Sequence, residues 1–228
     1  RRQHGALPIT GVSERVMLPD LDPDPVNAFI TDWSAATGRE RRNYQLFLIG
    51  LCGLLNVPPP EPASDDLRRN AYVFERRVDI RHPDGSATRG YIDLYYRQRF
   101  VLEAKQTGKA LASQGWDQAM LAAYYQADQY VRNLPPEEGR PPFIVVTDVG
   151  RSLELYAEFT GSGSIYAPFP DPGHHRIRLE DLRDPAIRQR LRQVWLDPLS
   201  LDPSQHAARV TRAISNTLAT LARSLETQ

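Results

Sequence analysis

Three extended segments joined by two tight turns restrict this chain more than any other feature. Residues 71–80 are aromatic and β-branched, His82-Pro83-Asp84-Gly85 supplies turn chemistry, and residues 88–96 return. A second turn at Arg97-Gln98-Arg99 leads into residues 100–105. Residues 109–133 then read as one long helix stopped by Pro135-Pro136, followed by short strands over 143–147 and 153–159. Strands interrupted by a long helix point to a mixed β-sheet flanked by helices, an α/β layer fold.

Helices are also expected on either side of this unit. One starts at Pro25 and runs to about residue 36; a second spans 38–55, with Tyr44, Phe47, Leu48, Leu51 and Leu55 at helical spacing, and ends at Pro58-Pro59-Pro60. Asp202-Pro203 is a cap-plus-first-turn signal for a final helix. Its stripe of Val210, Ile214, Leu218, Leu221 and Leu225 has to bury against this domain or a neighbour. The expected division is an extended arm over 1–24, one domain over 25–200 and the start of a helical connector over 201–228.

Charge removes one class of function. With 28 basic and 28 acidic residues the chain is formally neutral, so it is no histone-like binder working through bulk positive charge. The single cysteine, Cys52, permits no intrachain disulfide and suggests a reducing, cytoplasmic setting; in an apolar helix it reads as core. The longest apolar stretch, 46–57, is too short to cross a bilayer, and no membrane partner is expected. The chain opens Arg1-Arg2-Gln3 without methionine, so its natural start is read as lying upstream.

The chemistry is concentrated in Tyr91 to Gln106. If Gln98 centres a tight turn, Asp93 and Glu103 lie five residues to either side and face each other across the hairpin. Directly opposed residues have Cβ atoms about 4.5–5.5 Å apart, so two carboxylates would converge and need a cation between them. Lys105 shares a strand face with Glu103, while Phe100, Leu102 and Ala104 point the other way. Lysine occurs in this chain only at Lys105 and Lys109, so arginine is the default cation. Arginine stays charged at any accessible pH, whereas a lysine can orient or deprotonate a water. Two carboxylates with a backbone carbonyl form the oxygen-rich set that Mg²⁺ takes, and the combination points to metal-assisted phosphodiester hydrolysis. The Glu-x-Lys triplet alone reads equally as an ion pair on an edge strand; Asp93 at the hairpin-mate position favours the site.

Asp93, nine intervening residues, then Glu103-Ala104-Lys105 resembles the PD-(D/E)xK nuclease signature. Gly38-Arg-Glu40-Arg-Arg-Asn-Tyr44, Tyr72-Val-Phe74-Glu75-Arg76, Asp148-Val-Gly150 and Leu153-Glu-Leu-Tyr156 widen the likeness. They resemble the N-terminal region of MmeI-type fused restriction–modification enzymes and of DISARM-type phage-defence methyltransferase subunits. The resemblance implies a restriction-endonuclease-like fold and a Mg²⁺-dependent DNA endonuclease, with Mn²⁺ substituting. It makes Asp93, Glu103 and the Ala104 carbonyl the metal ligands and Lys105 the residue that positions the attacking water. It adds Glu40 as an acidic residue from an early helix, which reads otherwise as a first-turn glutamate stabilised by the helix dipole. Gln126 and Tyr130 match an auxiliary Gln-x-x-x-Tyr motif, and also suit an ordinary helix surface; Gln106 is a weaker candidate of the same kind. Double-stranded DNA is the implied substrate, with two copies or two visits needed to cut both strands. The implied partners are C-terminal methyltransferase and target-recognition domains, where S-adenosylmethionine would bind. Neither domain is recognisable here: Arg140-Pro141-Pro142-Phe143 places an arginine, which has no acceptor, where an amino-methyltransferase needs one.

Arg97 and Arg99 at the hairpin tip are expected DNA contacts, although a solvated charged face accounts for them equally. His174-His175 lacks a third metal ligand nearby in sequence, and Gly161-Ser-Gly163-Ser lacks the lysine and helix start of a phosphate loop. Two other readings stand beside the nuclease: a catalytically silent DNA- or partner-binding module of a defence complex, and a nuclease acting on RNA or single strands.

Overall fold

The computed structural model describes residues 23–35 and 40–205, together with Thr211, Arg212, Ile214, Ser215 and Thr217. The elements are α1 (Pro23–Ser34), α2 (Glu40–Leu54), β1 (Tyr72–Arg81), β2 (Ala87–Tyr96), β3 (Phe100–Lys105), α3 (Gln114–Asn133), β4 (Phe143–Asp148), β5 (Ser152–Ala157), β6 (Ala167–Pro168), β7 (Arg176–Arg178) and α4 (Pro185–Leu196). The strands form one mixed sheet in the order β1-β2-β3-β4-β5-β6, with β7 also pairing β5. Among the described strands only β3 and β4 pair in parallel, joined by α3 as the crossover such a pair requires. The α/β fold with helices on a mixed sheet is therefore as expected.

Two apolar layers enclose the sheet. On one face α1, α2 and α4 bury Val26, Phe47, Leu51, Leu55, Leu191 and Trp195 against Leu94, Phe100, Leu102, Ala104 and Val145. Trp195 packs on Phe100 at 4.5 Å between ring centroids and donates its indole N–H to the Tyr72 hydroxyl at 3.0 Å. Cys52 is buried beside the same hydroxyl, and burial pushes its thiol pKa up, as suits an inert core residue. On the other face α3 buries Trp116, Met120, Ala123, Ala127 and Val131 against Val78, Ile80, Ile92, Tyr95, Val101 and Ile144. Covered from both sides, β4 is buried at every position, which explains its unbroken apolar run.

The two layers expose an irregularity in the β1–β2 ribbon. Tyr72 and Leu94 belong to the α2 side, yet Val78, Ile80 and Ile92, of the same parity, belong to the α3 side. Both strands therefore lose their alternation once, and they do so opposite each other. Between Tyr72 and Arg81 the register pairs every residue of β1 except Glu75, and on β2 the residue passed over is Asp93. Glu75 makes the switch with φ at 52°, a left-handed conformation that strains a non-glycine residue. Arg76, the next residue, is clamped by Glu138 in the α3-side core.

Three expectations change. The long helix starts at Gln114, not 109: the Ser113 side chain caps it by accepting from the Trp116 amide, and Gly108 and Ala112 adopt positive φ in the preceding loop. The first helix starts two residues early, at Pro23. Helix α4 was not anticipated, although Asp184 followed by Pro185 is its cap and first turn. Asp202 does cap residues that follow it, accepting from the Ser204 amide at 2.9 Å. Of the expected final stripe only Ile214 is described, and it is exposed; the other four positions and the arm before residue 23 lie outside the described residues.

Candidate functional site

Strand β3 delivers Glu103 and Lys105 to the α3 side of the sheet, because Phe100, Leu102 and Ala104 are committed to the opposite core. The β2–β3 pairing follows the expected register through Leu94↔Leu102 and then stops. Asp93 and Glu103 are thus not a regular cross-strand pair, which corrects the simple hairpin expectation. β2 swerves away from β3 at its face switch, and the Asp93 carboxylate fills the gap by accepting the Ala104 amide at 2.7 Å. A charge-assisted bond from an aspartate thus replaces the next rung of the ladder.

The opening left by the departing strand is a cleft of about 660 Å³ lined by Tyr44, Glu75, Arg89, Tyr91, Asp93, Glu103, Lys105, Gln126 and Tyr130, among others. Glu103 is 2% exposed, and a charge this deep demands a cation. Lys105 answers with Nζ at 2.7 Å from Glu103 Oε1. The same ammonium donates to Gln126 Oε1 at 3.2 Å, and the Gln126 amide donates to the Tyr130 hydroxyl at 2.9 Å. The ammonium, which can only donate, therefore takes the amide oxygen and turns the amide nitrogen toward the tyrosine. Tyr130 reaches this position because residue 90 is glycine: a Cβ there would lie 2.6 Å from its ring. Burial pushes the Tyr130 phenol pKa up, keeping it protonated.

On the far wall Tyr44 of α2 donates a hydrogen bond to Glu75, and Gln45 donates to the Tyr44 hydroxyl at 3.0 Å. Burial, then the carboxylate of Glu75, drives the Tyr44 phenol well above its ordinary value, so it remains a donor. The base of the site is anchored by Asp148 at the end of β4. This fully buried carboxylate accepts from the Thr107 amide and hydroxyl and, at 2.7 Å, from the Trp116 indole. The Lys105 carbonyl receives the Val149 amide, so the strand end carrying the lysine is held on both sides.

Chemically, the cleft offers oxygen donors suited to a hard cation. Among the described residues no group of three or more His, Cys, Asp or Glu side chains is placed to hold a metal ion. The lining carboxylates are those of Glu75, Asp93 and Glu103, and carboxylate oxygens are the donor type that a hard cation takes.

A model of the MmeI N-terminal domain matches residues 24–228. The chain belongs to that family. No curated protein and no solved structure matches it. The MmeI N-terminal domain brings a restriction–modification context to the chain, and its match extends across both the expected nuclease region and the expected connector. No helix among the described residues of this MmeI-type domain is long and apolar enough to cross a membrane.

Of the residues singled out from sequence, Asp93, Glu103, Lys105, Gln126 and Tyr130 line one cleft. Ala104 sits between them with its methyl in the core. Glu40 is the first residue of α2, and its side chain lies outside the described ones. Arg97 and Arg99 do not line the cleft. Arg97 donates to the Arg68 carbonyl and lies 3.6 Å from Glu138, while Arg99 stacks over Tyr96 and donates to the Leu196 carbonyl. Tyr44, Glu75, Arg89, Gly90 and Tyr91 belong to the lining but were not read as site residues, although Tyr44 and Glu75 stand among the landmarks of the resemblance. A signal existed for Glu75: the turn closes from His82 to Ser86, and folding the ribbon about Asp84 sets Glu75 opposite Asp93.

Proposed function

We propose that this MmeI-type domain is a Mg²⁺-dependent endonuclease of the PD-(D/E)xK kind, hydrolysing phosphodiesters of double-stranded DNA within a longer restriction–modification or phage-defence protein. The observation that carries the reading is the meeting of Asp93, Glu103 and Lys105 in one cleft, with Lys105 held by Glu103 and Gln126. Asp93 and Glu103, with the Ala104 carbonyl, would hold the ion, which supplies a Lewis acid for the phosphate and lowers the pKa of a bound water. Lys105 aims the attacking water in line with the scissile bond, and its two acceptors restrict where the ammonium can point. Gln126 and Tyr130 position Lys105 and do not touch the reacting atoms. Methylation, S-adenosylmethionine and target recognition would belong to further domains of the same polypeptide, and double-strand cleavage to two copies or two visits.

The test is nicking of supercoiled plasmid by the purified domain. Nicking is expected with Mg²⁺ or Mn²⁺, none with chelator, and none above background with Asp93→Asn. Plasmid left intact in both metals, or cut equally by Asp93→Asn, refutes the reading.

A further inference from the structure

Beyond its switch at Glu75 and Asp93, the β1–β2 ribbon has two different faces. Val78, Ile80 and Ile92 are buried under α3, while Arg77, Asp79, Arg89 and Tyr91 form the solvent side. Asp79 stands directly opposite Arg89 in the register and is the natural partner for its guanidinium. Arg77, two residues away on the same strand, takes that carboxylate instead, with hydrogen bonds of 3.0 and 3.1 Å to its two oxygens. Arg89 consequently makes no ion pair and no side-chain hydrogen bond among the described residues, and it lines the cleft as a solvent-exposed residue.

The electrostatics of the cleft give this vacancy a use. Its lining includes three carboxylates, those of Glu75, Asp93 and Glu103, which repel a polyanion. The Lys105 ammonium is engaged by Glu103 and Gln126, which leaves Arg89 as the lining cation able to turn its donors outward. A guanidinium matches a phosphate with two parallel hydrogen bonds and gives up its hydration more readily than an ammonium. Arg89, Tyr91 and Asp93 occupy alternate positions on one strand, so Arg89 stands about 13 Å from Asp93 along the ribbon. Backbone to backbone, that separation suits a phosphate flanking the one undergoing hydrolysis. Tyr91, 45% exposed between the two, presents its ring where the intervening sugar would pass.

We infer that Arg89 is a substrate-positioning residue that binds a backbone phosphate flanking the scissile one, with Tyr91 packing against the strand between them. The inference rests on reading the cleft as a DNA-cleaving site and adds the direction in which the bound strand leaves it, along β2 toward the β1–β2 turn.

The test measures equilibrium binding of a labelled duplex by fluorescence anisotropy in Ca²⁺, over a salt series, using the whole domain. Arg89→Ala is expected to weaken binding about tenfold, as for loss of one charge-assisted contact, and to flatten the slope of log K against log salt by about one. Arg89→Lys should recover part of the loss, because it restores the charge without the fork. Arg81→Ala is the control: Arg81 is also exposed on the same ribbon but does not line the cleft, and its removal should leave binding and slope unchanged. Equal losses in the two alanine variants would reduce the effect to bulk charge and overturn the inference, as would an unchanged Arg89→Ala. A wild-type domain that binds the duplex through Arg89 yet nicks no plasmid would sink the endonuclease reading and leave the phosphate contact standing.

Discussion

Lys105→Arg should slow metal-dependent plasmid nicking by about 10²–10⁴-fold while leaving the urea unfolding midpoint close to that of the wild type. The two effects separate because Lys105 does two things. As a cation it neutralises Glu103, whose carboxylate is 2% exposed and lies 2.7 Å from Nζ. Arginine keeps that charge and protects the fold from a buried, uncompensated carboxylate. As an amine on a slender stem, Lys105 can hold a water and exchange a proton with it, and arginine cannot. Lys105→Ala removes both functions and should show the same kinetic loss together with a lowered unfolding midpoint. If Lys105→Arg nicks at the wild-type rate, the residue is a counter-charge only.

Glu138→Ala should destabilise the domain by about 3–5 kcal/mol, read from urea unfolding followed by tryptophan fluorescence. Arg76 and Glu138 form an ion pair of 2.6 Å, with side chains only 2% and 7% exposed. Glu138 also accepts the Tyr95 hydroxyl at 2.6 Å, and the Arg76 guanidinium lies over the Tyr95 ring. Truncating the glutamate strands a guanidinium in the α3-side core and orphans the phenol, and the cost of an unpaired buried charge dominates. Arg76→Met/Glu138→Leu should recover most of the loss, because two apolar groups of similar volume carry no desolvation penalty. A Glu138→Ala loss below about 1 kcal/mol would mean that water reaches the pair. The position matters for the site as well: Arg76 follows Glu75, where β1 changes face, so the same ion pair holds the strained residue in place.

Much of this was legible in the residues. The aromatic and β-branched runs, the Asp84-Gly85 turn and the apolar spacing of Phe47, Leu51 and Leu55 specify their elements locally, through turn chemistry and periodicity. The α2-side burial of Phe100, Leu102 and Ala104, and with it the shared face of Glu103 and Lys105, follows from strand alternation alone. The failure of that alternation at Glu75 and Asp93 was not legible, because it is imposed by packing one ribbon against two cores and leaves no mark in either strand's composition. For the same reason a regular hairpin predicted a direct Asp93–Glu103 pair, where the molecule has an aspartate bonded to the Ala104 amide at the point of divergence. Arg97 and Arg99 look like free cations in a turn; the carbonyls of Arg68 and Leu196 that hold them come from distant segments that no local pattern announces.

Isothermal titration of the domain with Mn²⁺, beside Asp93→Ala, addresses the central claim most directly. One cleft-bound ion is expected for the wild type and a loss of that binding in the variant. No heat of binding in the wild type, or an identical isotherm for Asp93→Ala, would contradict a cation site built on Asp93 and Glu103.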